Sequence, residues 1–150
     1  MPERPERWRS DAAALGAIGL GSALGGLCRV LVAVLFVDGL GWPPPVATAW
    51  VNVSGAFLIG LLHVVTLPEG RLPAGIRLRQ GLLAGFLGGY TTFSILSAET
   101  LALLAAGDRA AGGINMLGSL GLALVGVALG HGAGRRLNAG LSRAGGRPRT

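Results

Sequence analysis

The sequence predicts an all-α integral membrane protein with four transmembrane helices, the third of them broken near mid-membrane. Three observations carry this reading. The chain is 51% hydrophobic and only 13% charged, with a mean hydropathy of +0.58. Its apolar runs approach or exceed the roughly 20 residues that a bilayer crossing needs, and breaker-rich segments punctuate them at 38–45, 68–73 and 107–113. Its 27 glycines suit helices that pack backbone to backbone inside a membrane better than a soluble core. The 150 residues are enough for one domain.

The elements follow in order. Residues 1–11 (MPERPERWRSD) are charged and proline-containing, and are expected as a flexible tail. The first span runs from Ala12 to Val37, interrupted in character only by Arg29. A charged leader before an apolar run resembles a signal peptide, but this run is too long for a signal core and contains that arginine. Asp38–Pro45 (DGLGWPPP) is a turn, because three prolines cannot continue a helix. Trp42 and Trp50 suit an interfacial aromatic belt. The second span is expected over Val46–Leu67 and a loop over Pro68–Pro73. The third span, Ala74–Ala106, is too long for one straight crossing. Within it, Gly88-Gly89-Tyr90-Thr91-Thr92 is poor helix material: each glycine costs about 1 kcal/mol against alanine, and the threonines are stiff at χ1. The break is therefore expected over Gly88–Thr92. Broken backbone in hydrocarbon is tolerated only where it is buried in protein or lines a cavity or ion site. A turn at 107–113 leads to the fourth span, Ile114–Gly134, and residues 135–150 form an arginine-rich tail.

Catalysis has little to work with. His63 and His131 lie far apart, no His/Cys/carboxylate cluster has metal-ligand spacing, and Ser54 and Ser119 lack an adjacent acid–base pair. Cys28, the single cysteine, reads as a packing residue. The polar residues inside the spans say more as a set. Thr48 and Asn52 share one helix face, as do Asn115 and Ser119, and Thr91, Thr92, Ser94 and Ser97 surround or follow the break. A row of neutral donors can replace the water of a small, strongly hydrated anion without trapping it, as a fixed cation would. Phe57 and Phe93 can add positive ring edges. The plainer reading is interhelical hydrogen bonding and core aromatics. Arg29 is the only basic residue deep in a span and Glu99 the only acidic one, and a buried intramembrane charge defaults to a functional hypothesis. For Arg29 the alternatives are an anion vestibule and snorkelling to the interface.

These motifs resemble the Fluc/CrcB family of fluoride channels. The resemblance runs from the first span to about Gly134 and rests on LGGLCR ending at Arg29, TAWVNVSGAFLIG over 48–60, GFLGGYTTFS over 85–94 with SAET following, and the Asn115/Ser119 face. It implies an antiparallel dimer that passes fluoride passively out of the cytoplasm, and no enzyme activity. It implies a structural sodium ion at the dimer interface, held by the backbone carbonyls of Gly88 and Thr91. Asn52, Thr92, Phe93, Ser94, Asn115 and Ser119 would line the fluoride pathway, with Arg29 at a vestibule. One departure stands out: the family usually reads TTFSTF, whereas this chain reads TTFSIL, placing Leu96 where a second aromatic edge is expected. The alternative function is a small four-span multidrug or cation exporter, which would want a membrane-embedded carboxylate. The first span has none, and Glu99 is expected nearer a span end.

All thirteen basic residues are arginine, and the net charge is +6. They flank apolar spans, so lipid headgroups rather than nucleic acid are the expected partner. Four spans put Arg4, Arg7, Arg9, Arg71, Arg77, Arg79, Arg135, Arg136, Arg143, Arg147 and Arg149 on one side and Arg109 alone on the other. That imbalance predicts a multi-pass protein of the cell membrane with both termini cytoplasmic. A chain inserted in one direction cannot supply both halves of an antiparallel dimer. An oppositely oriented paralogue is therefore the expected partner.

Overall fold

The computed structural model describes residues 4–144, with side chains over 11–140. Among the described residues its regular structure is all helix, with no strand. The first helix, α1 (Arg4–Val34), ends in a π-helical turn, Leu35–Gly39; α2 is Pro44–Val65. The third span is assembled from α3 (Ile76–Gln80), a π-helical segment (Gly81–Leu87), α4 (Gly88–Tyr90) and α5 (Phe93–Ala105). The fourth joins α6 (Arg109–Gly113), a π-helical turn (Ile114–Gly118) and α7 (Ser119–Ala144). Four stretches are long and apolar enough to cross a membrane: Asp11–Gly39, Pro44–Val65, Ile76–Ala105 and Arg109–Gly140.

Local chemistry explains the boundaries. Pro44 and Pro45 open α2 in its first turn, where a missing N–H costs nothing. Asp108 accepts from the Ala111 N–H to cap α6. Gly41 and Gly107 take positive φ, 68° and 86°, at the two turns on the arginine-poor side.

Glycine sets the packing. In α1, a Cβ at Gly25 would overlap the Phe86 carbonyl, and one at Gly21 the Gly81 carbonyl; across the seam, Gly89 lies against the Ser22 backbone. The second seam joins α2 to α7, where Gly60 approaches Val127 and Gly130 approaches Phe57, again carbonyl to Cα. Such close approach replaces the hydrophobic drive that lipid-solvated helices lack. The loop between the second and third spans is tied to the far end of α7: the Arg71 N–H donates to Asn138 Oδ1 (2.9 Å), and Asn138 Nδ2 donates to the Val64 carbonyl (3.2 Å). That clasp puts this loop and the end of α7 on one side of the bundle.

Two expectations change. The glycine pair is not the break: Gly88 and Gly89 remain helical, and the chain opens at Thr91 (φ −74°, ψ 157°) and Thr92 (φ −148°, ψ 126°). The packing of Gly89 on α1 overrides its weak helix propensity, and the β-branched threonines take the extended conformation they favour. The arginine-rich ends expected as tails are helical from Arg4 and up to Ala144, because the spans simply continue in register. Residues 1–3 and 145–150 lie outside the described residues.

Candidate functional site

The site is built on the two unwound residues. The Asn52 side chain, on the α2 face turned to the break, pairs with both backbone groups of Thr92. Its Nδ2 donates to the Thr92 carbonyl (2.9 Å), and its Oδ1 accepts from the Thr92 N–H (2.8 Å). An asparagine amide matches a peptide group donor for acceptor, so it substitutes for the missing helical partner. Thr92 then caps α5, its Oγ1 accepting from the Ile95 N–H (3.2 Å) and lying 3.2 Å from Ser94 Oγ. Thr91 folds back, its hydroxyl donating to the Leu87 carbonyl (2.9 Å).

These bonds have an arithmetic consequence. In an unbroken helix the Thr92 N–H would close on the Gly88 carbonyl and the Ile95 N–H on the Thr91 carbonyl. Asn52 and Thr92 Oγ1 take those two donors. Gly88 and Thr91 are thus the residues whose carbonyls lose their helical donors to side chains. Among the described residues nothing beyond its own stretch of helix comes within 4 Å of a Cβ placed on Gly88, which is exposed. Among the described residues no group of three or more His, Cys, Asp or Glu is placed to hold a metal.

Two cavities flank the break, and another adjoins one of them. The first, about 260 Å³, is lined by Asn52, Thr91, Thr92, Phe93, Leu96 and Ser119, among others. Phe93 is 63% exposed at its rim, whereas Leu96 is 2% exposed. The second, about 440 Å³, takes in Asn115 and shares Ser119 with the first. There Asn115 Nδ2 donates to Thr100 Oγ1 (3.0 Å), which donates to the Leu96 carbonyl (2.7 Å). The third, about 220 Å³, contains Arg29, Thr48, Glu99 and, again, Thr92. Thr48 Oγ1 donates to Glu99 Oε1 (2.8 Å), while Glu99 Oε2 and Arg29 Nε are buried with no hydrogen-bond partner among the described residues.

The structure therefore brings Asn52, Thr92, Phe93 and Ser119 to one groove, with Asn115 beyond Ser119 and Arg29 across the break. Ser94 is bonded to Thr92 but exposed. Phe57 lies on the seam with α7 and lines none of the three cavities. Glu99 lies six residues before Ala105, the last residue of the third span, and its bond to Thr48 is what sequence reasoning did not find. Glu99 sits two helical turns past Thr92, and that spacing was the available signal that both face one side.

A sequence model of one family, described as CrcB-like protein, Camphor Resistance (CrcB), matches residues 16–131. The chain belongs to the CrcB family. Every residue named around the three cavities lies within that match. The chain is similar to "Fluoride-specific ion channel FluC 1" of Rhodopseudomonas palustris (strain BisB18), 45% identical over 130 residues, covering 87% of this chain and 92% of the relative. It is 46% identical over 121 residues to "Fluoride-specific ion channel FluC" of Opitutus terrae, covering 81% and 92%. With "Fluoride-specific ion channel FluC 1" of Bradyrhizobium diazoefficiens it shares 39% over 138 residues, covering 92% and 95%.

Proposed function

We propose that this chain forms a fluoride-specific ion channel, or a subunit of one, that lets fluoride leave the cytoplasm passively and so lowers its toxicity. The observation that carries this reading is the similarity, over most of both chains, to proteins named fluoride-specific ion channels. It is a channel and not an enzyme, and the exporter alternative has no support among these relatives. Chemically, the groove suits the task. Neutral donors from Asn52, Thr92 and Ser119, with the Phe93 ring at the rim, can exchange with the hydration shell of a small anion without holding it fast. Asn115 and Ser94 extend this set of donors, and Arg29 supplies a positive charge on the other side of Thr92.

The sodium ion implied by the resemblance fits the carbonyls of Gly88 and Thr91. Both have lost their helical donors to side chains, and a hard cation takes oxygen ligands. When bound, such an ion supplies positive charge to carbonyl dipoles that hydrocarbon cannot solvate. Two carbonyls from one chain make half a site, which favours an antiparallel dimer in which a second chain supplies the rest. The arginine imbalance favours an oppositely oriented paralogue as that second chain, in the cell membrane, with this chain's termini cytoplasmic.

The test is direct. Liposomes carrying the protein, with its paralogue where one is required, should release fluoride and retain chloride under the same gradient. Equal release of both anions, or of neither, would overturn the reading.

A further inference from the structure

A fourth cavity, about 290 Å³, shares no lining residue with the three cavities described above. Its walls are Ala17, Gly21 and Leu24 of α1, and Leu82 and Phe86 of the third span. Arg77 stands at one end as the one charged residue lining it. The seam that forms it is the glycine contact of Gly21 with Gly81, which lets the two backbones meet at the bottom while larger side chains flank them. We propose that this groove holds one acyl chain of an anionic phospholipid, with its phosphate on the Arg77 guanidinium.

Depth, charge and shape agree. Arg77 precedes the unwound Thr91 by fourteen residues, which at about 1.5 Å per residue is roughly 21 Å along the helix. If the break lies at mid-membrane, Arg77 falls at headgroup level, since half a bilayer with its headgroups measures about 20–22 Å. Phe86, five residues before Thr91, closes the groove roughly 7–8 Å from the midplane. The groove therefore covers about the outer half of one leaflet's hydrocarbon, the path an acyl chain takes from its phosphate inward. Its neighbour Arg79 is engaged, donating to Thr66 Oγ1 (3.2 Å), whereas Arg77 is exposed. Guanidinium matches phosphate in charge and hydrogen-bond geometry.

Native mass spectrometry of the purified channel, titrated with phosphatidylglycerol or phosphatidylcholine of identical acyl chains, tests this. The wild type should retain phosphatidylglycerol in preference. Arg77→Gln should weaken that retention by about fivefold, the worth of one arginine near an anionic surface, and Arg109→Gln on the opposite side should leave it unchanged. Leu24→Trp, filling the groove from an exposed position, should reduce retention of both lipids. Equal retention of the two lipids by the wild type, or no change in Arg77→Gln, overturns the proposal. So does high-yield cross-linking of Leu24→Cys to another copy in a Cys28→Ser background, which would make the groove a protein–protein seam.

Discussion

The Asn52 amide carries two N–H donors and one carbonyl. Thr92 takes one donor and the acceptor, which leaves a single N–H for the groove. Asn52 thus satisfies the open backbone at Thr92 and, in the proposed pathway, has one N–H left for the ion. Asn52→Leu should abolish most fluoride release from liposomes and also lower thermal stability, because the buried Thr92 N–H and carbonyl would each lose a partner at about 1–3 kcal/mol. Asn52→Asp should impair release as well: an ionised carboxylate repels fluoride and cannot donate to the Thr92 carbonyl. Wild-type release from Asn52→Leu liposomes would reduce Asn52 to a backbone clip. Leu96 is a different case. It is buried at 2% exposure, so this face of the groove is closed by aliphatic packing from within the chain rather than by a second aromatic edge.

At the level of elements, the third span shows what a sequence can and cannot announce. Its excess length and the poor helix formers at 88–92 located the break to within a few residues. The division of labour among those residues was not legible. Gly88 and Gly89 look identical in a propensity argument, yet Gly89 is pressed on the Ser22 backbone and Gly88 faces open space. Only the partner helix distinguishes them. The same holds for Glu99, whose pairing with Thr48 joins residues 51 apart, and for the three π-helical segments, which no local pattern marked. The spans themselves were legible because twenty apolar residues in a row have few other uses. A pair of substitutions separates the two glycines. Gly89→Val should prevent α1 from docking and sharply reduce the yield of folded protein. Gly88→Val should leave the single chain folded while lowering the dimer fraction and, with it, fluoride release. Size-exclusion chromatography with light scattering reads the difference, and a fully dimeric, conducting Gly88→Val protein would remove Gly88 from the interface.

For the whole molecule, the decisive quantity is the distribution of arginine. By their positions in the sequence, eleven of the thirteen are expected on one side of a four-span chain and Arg109 alone on the other, Arg147 and Arg149 lying outside the described residues. The Asn138 clasp supports the assignment by joining the 66–75 loop to the end of α7. Reporter fusions at the C-terminus should therefore give a cytoplasmic signal in nearly every copy. Fluoride resistance in a sensitive cell should require co-expression of a chain with the opposite bias. Signal from both sides, together with full resistance from this chain alone, would establish an ordinary dual-topology homodimer.

The pairing of α2 with α7 also sets a clock on biogenesis. The second helix is complete at Val65, but its principal neighbour does not begin until Ser119. At synthesis rates of about 5–20 residues per second, that interval is roughly 3–11 s. Throughout it, the α2 face carrying Gly60 has lipid, or an insertion factor, in place of its mate. The clasp at Asn138 forms later still. A ribosome that stalls before the fourth span leaves α1 with the third span as its mate and the second helix without one.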